Sequence, residues 1–418
     1  MKIIFFLIFF ISVTSVYSKE IIHKVKKGDF LYKIAYKYIS QTEYLYVDDF
    51  IKKIKKDNNI KKYVRPNQKL KITLLDKKLE TTTIPEPVRV KGLYYTVSNV
   101  AYKDFLNRVR TYKKAGINTV VIDIKNMIGE ITIPFNNKLK KELKTVHWSS
   151  IGQLRKLLYY LHKENIYVIA RVVCFHDQIM AENKKEYRVF KNNKEWVNPA
   201  NKDVQNYLLS LIDVVLKYPI DELQLDYVRF PATYSKKCTS YKSDIIINFL
   251  KEVHKKTKRA KIKLGLDVFG IALWQRKDDE CSIGQNLRKM ADYSDVISPM
   301  IYPSHFSNPF DGVKNPNDNP DLIIRRSIKR AEIVFKGKDI KFRPYLQAFS
   351  LGAKKYNKDY ILKQINELNS DTGYLFWNAR GKYQVVYDAL NYLKLKEKKK
   401  EKIEGNNRIN SIIEKTEE

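Results

Sequence analysis

The chain reads as an α/β protein built on a (β/α)8 barrel behind a small N-terminal βαβ module. Three observations predict this. From Lys91 onward, short runs rich in Val, Ile, Leu and Tyr alternate with amphipathic stretches, a pattern that demands a parallel sheet. The strand-like runs number eight, and most end in a charged, amide or aromatic side chain. At 418 residues the chain also exceeds the roughly 250 residues of a barrel by enough for one further small module.

The N-terminus is Met1-Lys2, an apolar run from Ile3 to Ile11, and small and polar residues up to Ser18. This is the layout of a secretory signal cleaved near Ser18 or Lys19, which predicts an exported protein with no membrane span after cleavage. The apolar run is too short for a comfortable span, although an uncleaved anchor remains an alternative.

Next come His23 to Tyr38, with a Gly28-Asp29 turn and apolar residues at Leu31, Ile34 and Ala35, then Asn58-Asn59 and the closing run Arg65-Pro-Asn67-Gln-Lys-Leu70-Lys-Ile72. The spacing predicts strand, turn, amphipathic helix and returning strand over 22–75. Residues 76–90 turn polar and contain Pro85 and Pro87, which suits an extended linker.

The barrel occupies 91–393. Predicted strands are 92–97, 119–125, 167–175, 222–230, 261–269, 295–302, 342–348 and 373–378. Helices are expected at 102–115, 149–164, 204–217, 243–257, 322–335 and 359–369, each with apolar residues three and four apart. An open doubly wound sheet would alternate similarly, but no Gly-rich phosphate fingerprint opens any of its helices. Beyond Leu393 the Lys-rich text to Glu418 predicts a frayed continuation of the last helix and a disordered charged tail.

The strand ends carry the candidate chemistry. Asp226 shares alternation parity with Gln224, and Asp267 with Gly265, so both carboxylates are expected to point inward at the barrel mouth. Neighbouring strands are about 4.8 Å apart, so two inward carboxylates at one height suit glycosidic bond cleavage. Asp226 and Asp267 are therefore the candidate catalytic pair. An ion pair of Asp226 with Arg171 or Arg229 is the structural alternative. Asp123, Lys125, Arg171, His176, Arg229, Tyr302, His305, Gln347, Trp377 and Asn378 are the candidate substrate-binding residues, being charged, amide or aromatic groups at the same strand ends. Asp123 and Lys125 could instead pair with each other. Arg343 is placed with the other strand-end residues, which are all expected to lean toward one end.

No Gly-x-Ser-x-Gly elbow, Walker loop or Cys/His metal cluster occurs, so no metal and no cofactor are expected. Lys and Arg number 79 against 46 Asp and Glu, a formal charge of +33. The lysines are scattered rather than gathered in a stripe, so nucleic acid is not the expected partner, and attraction to an anionic polysaccharide or wall is the most this charge implies. Cys174, Cys238 and Cys281 allow at most one disulfide; Cys238 with Cys281 is the plausible pair, and three free thiols are the alternative.

These strings carry two resemblances. Residues 23–72 resemble a LysM domain, with Asn67 where Gly is usual. That implies binding to N-acetylglucosamine-containing glycans such as peptidoglycan or chitin, with Gly28, Asp29, Asn58 and Asn67 at its characteristic positions. From about Gly92 to Tyr383, the strings Val121-Ile-Asp123-Ile-Lys125, Ile169-Ala-Arg171, Trp196-Val-Asn198-Pro199, Leu225-Asp226-Tyr-Val-Arg229-Phe-Pro231, Asp267-Val-Phe-Gly270, Pro299-Met-Ile-Tyr302-Pro-Ser-His305, Arg343-Pro-Tyr-Leu-Gln347 and Trp377-Asn378 resemble a bacterial family of glycoside-hydrolase-like domains sharing an α-amylase-like barrel. The resemblance implies that Asp226 stands at the nucleophile position of strand four. The strand-five acid of such barrels is usually Glu, and Asp267 is shorter. A hydrolase tethered to peptidoglycan or a similar glycan is the leading expectation. A non-catalytic glycan-binding protein, or a lyase or transferase on the same barrel, stands beside it.

Overall fold

The computed structural model describes residues 18–143, 153–232 and 241–416. All of the predicted signal except Ser18, together with Cys238, lies outside them. No helix among the described residues is long and apolar enough to cross a membrane. The chain divides into two compact units.

In the small unit, β1 (Ser18–Lys24) pairs antiparallel with β2 (Lys69–Leu75), and α1 (Leu31–Tyr38) and α2 (Val47–Asp57) lie between them in sequence. Leu31, Ile34 and Ala35 form the buried stripe of α1, and Phe50 and Ile54 that of α2. They pack with Leu70 and Ile72 of β2, and burying each large aliphatic contributes about 1.5–3 kcal/mol. Asp48 and Asp49 in the first turn of α2 and Lys55 and Lys56 in its last complement the helix dipole.

In the large unit the predicted barrel is present. Its strands are β3 (Lys91–Tyr95), β4 (Thr119–Lys125), β5 (Tyr167–Val173), β6 (Glu222–Asp226), β7 (Lys263–Phe269), β8 (Val296–Ile301), the pair β9 (Lys341–Phe342) and β10 (Tyr345–Gln347), and β11 (Tyr374–Trp377). Every adjacent pair is parallel, and β11 closes the sheet against β3. β4, β5 and β6 are buried along their whole length, as strands covered on both faces must be. The seventh strand is split because Pro344 has no N–H to give the ladder.

Three predicted strands are too long by two residues or more at their C-terminal ends, the first stopping at Tyr95 rather than Val97. β6 stops at Asp226 rather than Phe230 because Tyr227 takes a left-handed conformation, φ +53°, and β5 stops at Val173 rather than Phe175. Helices at Phe105–Lys114, Leu154–Lys163, Lys202–Val215, Tyr241–Ala260, Pro320–Val334 and Lys358–Ile365 match the six predicted ones. The last helix runs unbroken from Gln384 to Thr416, where the sequence predicts fraying and disorder; its Lys- and Glu-rich text has high helix propensity.

The two ends of the barrel are chemically distinct. At the N-terminal end Arg343 donates to Glu222 at 2.9 and 3.0 Å and to Glu86 at 2.7 Å, and Glu86 also meets Lys263 and Lys341. Arg343 therefore does not lean toward the barrel mouth as expected. Gly265 makes room for this network, since a Cβ there would stand 2.7 Å from Glu222 Oε1. Glu86 belongs to the segment predicted as an extended linker. That segment also presents the Ile84 N–H to Asp221 at 2.7 Å, so its end is fixed to the barrel.

Candidate active site

The C-terminal ends of the strands open into a cavity of about 1010 Å³, at the top of the roughly 300–1,000 Å³ range of ligand sites. Its floor is an ionic cluster centred on Arg171 of β5. Arg171 Nη1 donates to Asp123 Oδ1 at 2.5 Å, while Nη2 and Nε donate to Asp226 Oδ2 at 2.6 and 3.2 Å. Asp267 Oδ2 lies 3.6 Å from Nε. Because both carboxylates approach the same nitrogen, the Oδ2 atoms of Asp226 and Asp267 are no more than about 7 Å apart, which excludes the wider separations of inverting carboxyl pairs.

The three aspartates have different surroundings. Asp226 is the best served, since its Oδ1 also accepts the N–H of Tyr227 at 2.5 Å. The left-handed Tyr227 that ends β6 supplies this donor; backbone strain of that kind is concentrated at functional sites. Asp123 accepts the Tyr94 hydroxyl at 2.6 Å on its Oδ2. Asp267 is 2% exposed, and among the described residues its Oδ1 has no hydrogen-bond partner. Burial first, and the neighbouring Asp226 carboxylate second, push its proton affinity well above the usual carboxylate range. Burial, moderated by Arg171, also raises Asp123.

Of the predicted residues, Asp123, Arg171, Asp226, Arg229, Asp267, Tyr302, His305 and Trp377 line the cavity. Trp377 stacks with Tyr94 at 6.0 Å and packs tilted against Tyr302 at 5.8 Å, giving a half-buried aromatic face suited to a sugar ring. The Arg229 guanidinium sits over Phe269 at 4.1 Å, Trp196 at 4.5 Å and Tyr227 at 5.2 Å.

Four predicted residues are outside the cavity wall. Lys125 pairs with Asp177 at 2.9 Å, not with Asp123, because the ladder shifts register between Asp123 and Lys125 and turns the ammonium away. Asp177 also caps the helix Gln178–Asn183. His176 donates from Nδ1 to the Met127 carbonyl at 2.9 Å and packs edge-on to Trp196 and Tyr227. Gln347 accepts the Ser304 N–H and donates to the Phe349 carbonyl. Asn378 donates to the Ala348 carbonyl and accepts the Arg380 N–H. These four brace the loops around the mouth.

The cavity also contains residues the sequence reading missed, among them Tyr94, Tyr345 and Glu130. Tyr94 lies in the first strand, where an inward polar tip was the available signal. Glu130 follows β4 in a turn held by Asn126, whose side chain donates to Glu130 Oε2 at 2.7 Å; nothing in the local text distinguishes it from a solvated loop residue.

In the small unit, the four predicted positions shape the fold. Gly28 has φ +85°, and Asn67 has φ +68°, the role its substitution for Gly requires. Asp29 accepts the Lys26 N–H and pairs with Lys33. Asn58 ties α2 to β2 through both backbone groups of Lys71, at 2.6 and 2.8 Å. Cys281 is disulfide-bonded, and Cys174 is a free buried thiol.

A closed parallel barrel whose C-terminal strand ends gather carboxylates and aromatic rings around one cavity has the architecture of a barrel glycosidase. Within that class, the chain belongs to the family described as "Putative glycosyl hydrolase domain", whose profile matches residues 92–383, and it carries a LysM domain at 23–73. No curated protein matches it. Among solved structures it is similar to the PgaB (BpsB) glycoside hydrolase domain from Bordetella bronchiseptica, at 12% identity and TM-score 0.54, covering 72% of this chain and 97% of that one. It is also similar to a beta-galactosidase from the psychrophilic Marinomonas ef1, at 10% identity and TM-score 0.52, covering 74% and 59%. A hypothetical protein from Ruminiclostridium thermocellum shares 30% identity over 42% of this chain and 97% of that one, with TM-score 0.37. At these identities, the two glycosidases speak for the shared fold.

Proposed function

We propose that the barrel hydrolyses glycosidic bonds in a polysaccharide or peptidoglycan that the LysM domain holds nearby. Asp226 serves as nucleophile or charge stabiliser and Asp267 as proton donor. The observation that carries this reading is the contrast between two carboxyl groups flanking Arg171. Asp226 is fixed by three N–H donors and lines the cavity, whereas Asp267 has an oxygen without a partner among the described residues, and burial with the neighbouring Asp226 pushes its proton affinity well up. Two carboxyl groups in such unlike environments are what acid and nucleophile roles require.

Asp267 first gives its proton to the glycosidic oxygen as the bond from the anomeric carbon to that oxygen breaks, and Asp226 attacks or stabilises the anomeric carbon. Water then adds to the anomeric carbon, displacing Asp226 where it has bonded, and its proton passes to the Asp267 carboxylate, which restores both groups. Asp123 and Arg171 orient Asp226, and Trp377 with Tyr302 offers a sugar ring its aromatic wall. Export fits the N-terminal signal pattern, and the bonded Cys281 fits an oxidising compartment.

The test is incubation of the purified protein with isolated peptidoglycan and a polysaccharide panel, with new reducing ends measured beside Asp226→Asn. Release by the wild type alone supports the proposal. Binding without release from any substrate favours a non-catalytic glycan-binding protein, and unsaturated products or longer chains would point to a lyase or a transferase.

A further inference from the structure

Arg229 differs from the other buried arginines of the barrel. Arg171 and Arg343 are each bonded to two carboxylates. Arg229 is as buried as Arg171, at 7% exposure, yet among the described residues it has no carboxylate partner. Among the described residues its one side-chain hydrogen bond runs from Nη1 to the Phe230 carbonyl at 3.0 Å, and its faces are occupied by three aromatic rings. Aromatic faces attract a cation but accept no in-plane N–H bonds, so the outer edge of the guanidinium still has donors to give. Arg229 lines the cavity.

Burying a charge is costly unless an opposite charge completes it. The nearest acid, Asp226, is committed to Arg171. Burial accordingly lowers the proton affinity of Arg229, to about 10, a sign of a cation lacking its counterion. The planar fork of a guanidinium matches a carboxylate in bidentate fashion. The formal charge of +33 would also draw an anionic polymer toward the protein.

We propose that the cavity takes a glycan bearing a carboxylate and that Arg229 receives that carboxylate. This rests on the hydrolase reading for the identity of the ligand as a glycan, and it adds the substrate class. Two chemistries present such a group: a hexuronic acid, and the lactyl ether of N-acetylmuramic acid in strands freed of peptide. Either would set its anion against Arg229 while a neighbouring ring lies along Trp377. Neutral glycans would leave the guanidinium unpaired.

The experiment is titration calorimetry on the full chain carrying Asp226→Asn, so that turnover does not consume the ligand. The probes are an N-acetylglucosamine–N-acetylmuramic acid oligomer and a uronic acid oligomer, each beside its carboxyl-reduced counterpart, which cancels any neutral contribution from the LysM domain. One acidic probe should bind on the order of tenfold or more tighter than its reduced form, the strength of one charge-assisted pairing. Which probe does so identifies the source of the carboxylate. Adding Arg229→Gln should abolish the difference, and Arg229→Lys should keep part of it. Equal binding of acidic and reduced probes overturns the proposal without any reliance on a variant that must fold, and so does a preference that survives Arg229→Gln. The hydrolase reading fails separately, when a wild type that shows the preference releases no reducing ends.

Discussion

At the N-terminal end of the barrel Arg343 holds Glu222 and Glu86, with Lys263 and Lys341 completing the set; at the C-terminal end Arg171 stands among Asp123, Asp226 and Asp267. The first network is closed. Both Glu222 oxygens accept from Arg343, and the Tyr167 hydroxyl adds a longer contact of 3.4 Å. The second is open, since one arginine faces three carboxyls and Asp267 Oδ1 accepts no hydrogen bond from any described residue. Burial pushes both Glu222 and Asp267 upward. The next influence on Glu222 is the opposing Arg343, whereas on Asp267 it is the like charge of Asp226. A satisfied buried network holds structure, and an unsatisfied one beside a cavity is poised for chemistry.

The comparison breaks most visibly at Asp226. Asp226→Asn should lower kcat by on the order of 10⁴-fold or more with the melting temperature nearly unchanged, as measured by reducing-end release and thermal unfolding. Asp267→Asn should cost about 10²–10⁴-fold, the usual contribution of a general acid. It should also change stability in a pH-dependent way. The folded-state proton affinity of Asp267 is raised, so its stabilising effect is full below the ordinary carboxylate range and is lost as pH rises through its own higher value. Relative to wild type, the Asn variant should therefore gain stability with rising pH, which denaturant titration at several pH values would show.

At the other end the effects should invert. Arg343→Met strands Glu222, which is fully buried, and should cost about 3–5 kcal/mol of stability while the folded fraction keeps its kcat. The smallest effect belongs to Glu86. Burial opposes its ionisation, but Lys263, Lys341 and Arg343 outweigh this and hold its proton affinity down, at about 2 against an ordinary 4.5. Its stabilisation is thus present above pH 4.5 and lost as pH falls toward 2, and Glu86→Gln should flatten the wild-type decline in that window.

Much of this was readable in the residues. The eight strands, the LysM strand and turn pattern, and the inward parity of Asp226 and Asp267 follow from periodicity and from polar groups at strand ends. What escaped depends on backbone detail. The register shift after Asp123 sends Lys125 to Asp177, a displacement that alternation cannot foresee. The left-handed Tyr227 has no marker, because Tyr is not a residue expected there. Arg343 was assigned to the wrong end because the Pro344 break separates it from the part of its strand that carries Gln347. His176, Gln347 and Asn378 have the composition of binding residues, and only their contacts reveal them as loop braces.

The most direct test of the contrast between the two ends is reducing-end release from isolated peptidoglycan and a polysaccharide panel by wild type, Asp226→Asn and Arg343→Met, each normalised to folded protein. The account predicts release by wild type and by Arg343→Met and none by Asp226→Asn. Undiminished release by Asp226→Asn would contradict it.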